Sequence, residues 1–152
     1  MMSELGFYGG KIIDINTPIV PLEDRGHQFG DGVYEVVVTY GGKYFALQEH
    51  LERFEKSCGE LRLIPLYSRL ELVNICQLLL KESQLTDAML YMQWTRGASP
   101  RTHAFPNNTE ASFSATIRKK KRAARTTTPA PSERTKPLRS TLKGREASAG
   151  LS

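Results

Sequence analysis

The chain is poor in cysteine. Cys58 and Cys76 are its two thiols, with no CxxC pair and no zinc-ligand spacing. A disulfide framework and a structural metal site are not expected, and two buried thiols in a reducing cytoplasm are the plain reading. No run of about 18 apolar residues occurs, so no membrane span is expected. The first residues, MMSELGFYGGKIIDI, lack a basic stretch followed by an apolar one and do not read as a secretory leader. Self-similarity at solenoid periods is also missing. Aromatic residues stop at Phe113, and none follows in the remainder of the 152 residues.

What is present divides near residue 117. The formal net charge is +5, but residues 118–152 hold 11 basic and 2 acidic side chains, while residues 1–117 hold 10 basic and 14 acidic ones. The excess positive charge therefore belongs to a tail whose hydrophobic residues are three leucines and five alanines. Such a segment cannot bury enough apolar surface to offset the entropy of ordering it, and disorder is expected. A basic arm of this kind binds polyanions weakly and salt-dependently. It has no aromatics for base stacking, so specific nucleic-acid recognition is not expected. Its abrupt start after ASFSATI, and its Arg-, Thr-, Pro- and Ala-rich composition, are also what an out-of-frame reading of a coding region produces.

Residues 1–117 read as an α+β domain. Short strands flank Gly9-Gly10. VYEVVVTY (33–40) and KYFAL (43–47) flank Gly41-Gly42, a strong hairpin signal. Leu51, Phe54, Cys58 and Leu61 form one helical stripe. Ser68 with Glu71 three positions on is a capping box that opens a second helix through Leu72, Val73, Ile75, Cys76, Leu79 and Leu80. AMLYMQWT (88–95) and SFSATI (112–117) read as further strands. Hairpins and a consecutive pair of helices point to a mostly antiparallel sheet with two helices.

Chemistry gathers in three segments. EDRGHQFGDGVYE (23–35) is dense in glycine, charge and aromatics and places Tyr34 at a strand start, where its hydroxyl could face a cleft. A tight surface turn with a core tyrosine fits the same spacing. Gly-Asp-Gly here is no dinucleotide fingerprint, because no strand–Gly–helix unit follows. His50 and Arg53 stand one helical turn apart; an arginine at a helix start can hold a phosphate through a two-pronged, charge-assisted contact. A solvated charged face among Glu49, Glu52 and Glu55 is the alternative. TRGASPRTH (95–103) brings Arg96, Arg101 and His103 onto one short loop, where two cations can hold a carboxylate. An ordinary exposed loop is the other reading.

In order and spacing, EDRGHQFGDGVYEVV, EHLERF and WTRGASPRTHAFP closely resemble the D-amino acid aminotransferases (D-alanine transaminases). These are pyridoxal-phosphate enzymes of fold type IV, the branched-chain-aminotransferase-like family. The resemblance covers about residues 4–117 and implies that family's small N-terminal domain, in a homodimer whose active sites use both chains. It implies that Arg53 grips the cofactor phosphate and that Tyr34, Arg101 and His103 trap the substrate α-carboxylate. Glu35 and His50 are implied as supporting residues, with Arg25, Val33 and the glycines shaping the site. The implied reaction is ping-pong amino transfer from D-alanine to 2-oxoglutarate, giving pyruvate and D-glutamate. Branched-chain aminotransferase and aminodeoxychorismate lyase share the fold, and the SPRTH loop argues against both. In the family the Schiff-base lysine comes from a larger C-terminal domain. The family pattern stops near Ile117, and no tail lysine sits in a matching segment. The expectation is a truncated transaminase, inactive alone, with a non-catalytic remnant whose tail binds polyanions as the competing reading.

Overall fold

The computed structural model describes residues 3–121. Residues 122–152, most of the segment expected to be a disordered basic tail, lie outside the described residues. Among the described residues nine elements follow one another: β1 (Leu5–Tyr8), β2 (Lys11–Asp14), α1 (Arg25–Phe29), β3 (Gly32–Tyr40), β4 (Lys43–Tyr44), α2 (Leu47–Glu60), α3 (Arg69–Ser83), β5 (Ala88–Thr95) and β6 (Ser112–Lys119). The strands form one sheet in the order β2-β1-β6-β5-β3-β4, with every neighbouring pair antiparallel. The mostly antiparallel sheet with two long helices read from the sequence is what the chain adopts. The last strand pairs Lys119 with Ala88, two residues beyond the strand end expected at Ile117.

Alternation decides the layers. Successive strand side chains point to opposite faces. Val37 and Thr39, then Leu90, Met92 and Trp94, then Phe113, Ala115 and Ile117 are all buried, whereas Tyr34, Met89 and Tyr91 of the opposite parity are exposed. The two long helices cover the buried face, α2 against β3 and α3 against β1 and β6. Leu51, Phe54 and Cys58 of α2 face inward. Phe54 lies 5.8 Å from the Trp94 ring, and Trp94 lies 5.4 Å from Phe113 edge-on. Truncating Phe54 to Ala would cost about 3–5 kcal/mol, the transfer energy of the ring plus the cavity it leaves.

Three local expectations need correction. Leu61, counted into the α2 stripe, is the C-cap residue and 39% exposed; Leu63, past the end of the helix, fills the core instead. KYFAL is not a five-residue strand. Lys43 and Tyr44 pair with β3, the Phe45 N–H donates a last bond to the Val38 carbonyl at 2.9 Å, Ala46 takes a left-handed turn at φ 50°, and the helix starts at Leu47. Burial of Leu51 and Phe54 against β3 wins over the β-propensity of Phe45, which is left 62% exposed. The segment 23–31, whose spacing also fitted a tight surface turn, contains a short helix, Arg25–Phe29. Asp24 caps it, accepting from the Gly26 N–H at 2.8 Å, and Gly30 ends it at φ 66°. Two expectations hold in detail: Ser68 and Glu71 form a reciprocal capping box, and both cysteines are buried. Among the described residues no helix is long and apolar enough to cross a membrane.

Candidate functional site

The residues singled out from the sequence cluster where β3 begins and β5 ends. Gly32 pairs with Thr95, Val33 with Trp94 and Tyr34 with Gln93, so α1, the start of β3 and the loop after β5 share one end of the sheet. Within that end they form separate groups.

Glu35 holds the first group. It sits on the helix-covered side of β3 and is 5% exposed. Its carboxylate accepts from Arg53 Nε at 2.7 Å and Nη2 at 2.6 Å, from its neighbour's Val36 N–H at 3.0 Å, and lies 3.0 Å from His50 Nδ1. A buried carboxylate needs such partners. Burial pushes the Glu35 carboxyl toward the neutral form. The hydrogen bonds from Arg53, His50 and Val36, with the charge of Arg53, outweigh it and lower its pKa to about 2. Glu35 in turn holds the Arg53 guanidinium above its ordinary value. Arg53 therefore does not belong to a solvated face with Glu49, Glu52 and Glu55. Its fork is aimed by Glu35 while its side chain stays 65% exposed. Among the described residues its Nη1 makes no hydrogen bond, so a rigidly held, solvent-facing donor is free to meet an anion.

Phe29 of α1 gathers the second group. The Arg101 guanidinium lies 5.1 Å from the Phe29 ring centre and the His103 ring 5.8 Å from it. Both side chains are exposed, and neither pairs with a carboxylate among the described residues. Tyr34 is not in this group. Being adjacent to Glu35 on a strand, it points to the opposite, uncovered face, where it stacks on Tyr91 at 5.3 Å and is 64% exposed. The core-tyrosine reading is thus overturned. The structure joins Arg53 to Glu35 and His50, joins Arg101 to His103, and leaves Tyr34 beside neither.

Arg96 departs from its expected place. Instead of lying free with Arg101, it donates from Nε to Asp31 Oδ2 at 2.8 Å and from Nη2 to the Leu61 carbonyl at 2.8 Å, at the end of α2. Asp31 also accepts from Arg25 Nε at 2.8 Å. Burial raises the Asp31 carboxyl, but the hydrogen bonds and charges of Arg96 and Arg25 prevail and keep it below the usual carboxylate range. Sequence reasoning missed Asp31. The available signal was an acidic residue between two glycines, at the entry to a strand and beside an arginine-bearing loop. An open cleft of about 580 Å³ is lined by Tyr8, Asp24, Tyr67, Glu110 and Ser112, and none of the residues just described lines it.

Comparison with known proteins gives the arrangement a context. The family model described as amino-transferase class IV matches residues 32–146. The D-alanine aminotransferase of Staphylococcus haemolyticus is 44% identical over 100 residues, 66% of this chain and 36% of that protein. The D-alanine aminotransferase of Listeria monocytogenes serotype 1/2a (strain 10403S) is 40% identical over 98 residues, 64% of this chain and 34% of that protein. The chain thus spans about a third of the length of these curated relatives. Among solved structures, the Escherichia coli branched-chain amino acid aminotransferase superimposes with a TM-score of 0.71 at 18% identity, over 76% of this chain and 39% of that one. A hypothetical aminotransferase from Mycobacterium tuberculosis, in its PLP-bound form, gives 0.65 at 16% identity, over 76% of this chain and 39% of that one. At such identity these structures share the fold.

Proposed function

The chain belongs to the amino-transferase class IV family, and from that premise we propose that its described residues supply the anion-binding groups of a pyridoxal-phosphate-dependent D-amino acid transaminase. The substrates are D-alanine and a 2-oxo acid such as 2-oxoglutarate. One observation carries the reading: Arg101 and His103 are gathered on Phe29 with no carboxylate partner among the described residues. An exposed cation beside an imidazole, on a loop at the end of a rigid sheet, suits a small external carboxylate. Tyr34, which the resemblance puts in the same trap, stands on the uncovered face stacked on Tyr91 and is given no part in this group.

The cofactor fit rests on the donor set. Arg53 has its guanidinium oriented by a buried carboxylate and one nitrogen to spare, which suits a phosphate oxygen. Pyridoxal phosphate, when bound, supplies the electron sink that makes the α-hydrogen of an amino acid removable. The chain's own residues bind and orient: Arg53 the phosphate, Arg101 and His103 the α-carboxylate, with Glu35 and His50 keeping Arg53 in place. None of them is assigned the proton transfer, and we propose that the chain alone binds without turning over.

D-Alanine is preferred to L-branched substrates because relatives at 40% identity and above are named for D-alanine. The branched-chain structure is similar at 18% identity, a likeness of fold. The test is calorimetric titration of the full chain with pyridoxal phosphate and, separately, with pyruvate. Arg53→Ala should weaken the first about tenfold or more and leave the second, and Arg101→Ala should do the reverse, since a charge-assisted hydrogen bond contributes about 1.5–3 kcal/mol. If neither substitution changes either affinity, the assignment fails. Pyruvate formation from D-alanine and 2-oxoglutarate by the chain alone would refute the binding-only proposal.

A further inference from the structure

Beneath the loop that carries Arg101 and His103 lies a set of charged groups that the reading above leaves without a task. Arg25 is 3% exposed, a degree of burial that a guanidinium rarely reaches unless its donors are matched. Its Nε donates to Asp31 Oδ2 at 2.8 Å, its Nη1 donates to the Thr102 carbonyl at 2.8 Å, and its guanidinium centre lies 4.7 Å from the Phe29 ring centre. Thr102 is the residue between Arg101 and His103. Asp31 Oδ2 also accepts from Arg96 Nε at 2.8 Å, and the Arg96 guanidinium covers the Phe105 ring at 4.3 Å. The Arg96 N–H donates to the Asp31 carbonyl at 3.1 Å.

The loop itself has little else to hold it. Residues 101–105 are exposed and lie outside any helix or strand. Among the described residues, the side-chain hydrogen bond that reaches this segment from elsewhere comes from Arg25 to Thr102. The loop is therefore gripped at two points: at the Thr102 carbonyl by Arg25 and at the Phe105 ring by Arg96. One carboxylate, Asp31, sets both grips. It also supplies the negative charge that lets Arg25 and Arg101 share the Phe29 ring, at 4.7 and 5.1 Å. Without it, three cations would crowd this end of the sheet and repel one another.

We propose that Arg25, Asp31 and Arg96 form a clamp that positions residues 101–103 for carboxylate binding, with Phe29 as the surface on which Arg101 and His103 are set. These are positioning residues, acting through Arg101 and His103, and the proposal rests on the reading that those two hold the carboxylate. The clamp lowers the cost of binding, because a loop already ordered need not be ordered by its ligand.

The test uses the full chain with pyruvate as the probe, and reads two quantities by NMR: pyruvate affinity from the His103 ring signals, and backbone order parameters for residues 101–105. Asp31→Asn keeps the shape but removes the charge. Arg25→Lys keeps the charge but loses the fork that serves Asp31 and Thr102 from two separate nitrogens, and it carries the test should Asp31→Asn fail to fold. Each should weaken pyruvate binding about tenfold and lower loop order from rigid values toward about 0.6, with β3 and β5 unchanged. Asp31→Glu should recover part of the affinity, a rescue that lost packing would not allow. If Arg101→Ala abolishes binding while both clamp variants bind like the parent with the loop still ordered, the clamp is overturned. If the parent binds no pyruvate, the carboxylate reading fails, and the order parameters still decide whether the clamp holds the loop.

Discussion

Replacing Glu35 with Gln tests how Arg53, the arginine proposed to meet the phosphate, is held. The substitution keeps the side-chain shape, removes the charge, and turns an amide donor toward Arg53 or His50. Its size follows from proton linkage. At about 1.4 kcal/mol for each tenfold change in proton affinity, a fall from the ordinary 4.5 to about 2 corresponds to about 3 kcal/mol. Arg53 is 65% exposed, so water screens its side of the pair and the loss should be nearer about 2 kcal/mol. The sign is that of a carboxylate with depressed pKa. Its contribution is complete above the unfolded value of about 4.5, and it is lost as pH falls through about 2. Urea unfolding of parent and variant should therefore differ by about 2 kcal/mol near neutral pH and converge in strong acid. A difference that persists undiminished at about pH 2, or that is below about 0.5 kcal/mol at neutral pH, would refute the assignment of Glu35 as the charge that holds Arg53.

Other consequences can be checked in the same way. Thr39 is fully buried; its hydroxyl donates to the Thr86 carbonyl at 2.9 Å and accepts from the Ala88 N–H at 2.8 Å. Thr39→Val should cost about 2–3 kcal/mol in urea unfolding, because two backbone groups lose their partner. Gly97 has φ 94°, and a Cβ there would overlap the Glu110 carbonyl oxygen. Gly97→Ala should lower the thermal midpoint and disorder the loop after β5, seen as line broadening in residues 97–105. Cys58 and Cys76 are buried, which pushes their thiols up to about 11 and about 12. Both should resist alkylation in mildly alkaline buffer and react at once in denaturant, as mass spectrometry would record. Ser68→Ala removes one half of the α3 capping box and should cost about 1 kcal/mol by thermal unfolding.

Much of this domain was written locally. The strand alternation around Val37, Leu90 and Phe113, the Gly41-Gly42 turn at φ 55° and 77°, and the Ser68–Glu71 cap follow from short-range rules of backbone sterics and side-chain period. Those rules read from neighbours in sequence, so they hold wherever the chain folds. The same alternation sends Tyr34 and Glu35 to opposite faces, so the split between them was legible in principle. Which partners meet was not. Whether Arg53 would face solvent or the Glu35 carboxylate depended on α2 lying across β3. The bonds from Arg25 to Thr102 and from Arg96 to Asp31 span 77 and 65 residues and exist only because β3 and β5 are neighbours in the sheet. A short helix through Gly26, an arginine left 3% exposed, and a loop contacted at Thr102 and Phe105 are outcomes of that juxtaposition. Sequence alone determined the elements and the residue types available for anion binding. The tertiary structure decided which cations are paired internally and which have no carboxylate partner among the described residues, because pairing of charges depends on distance through space.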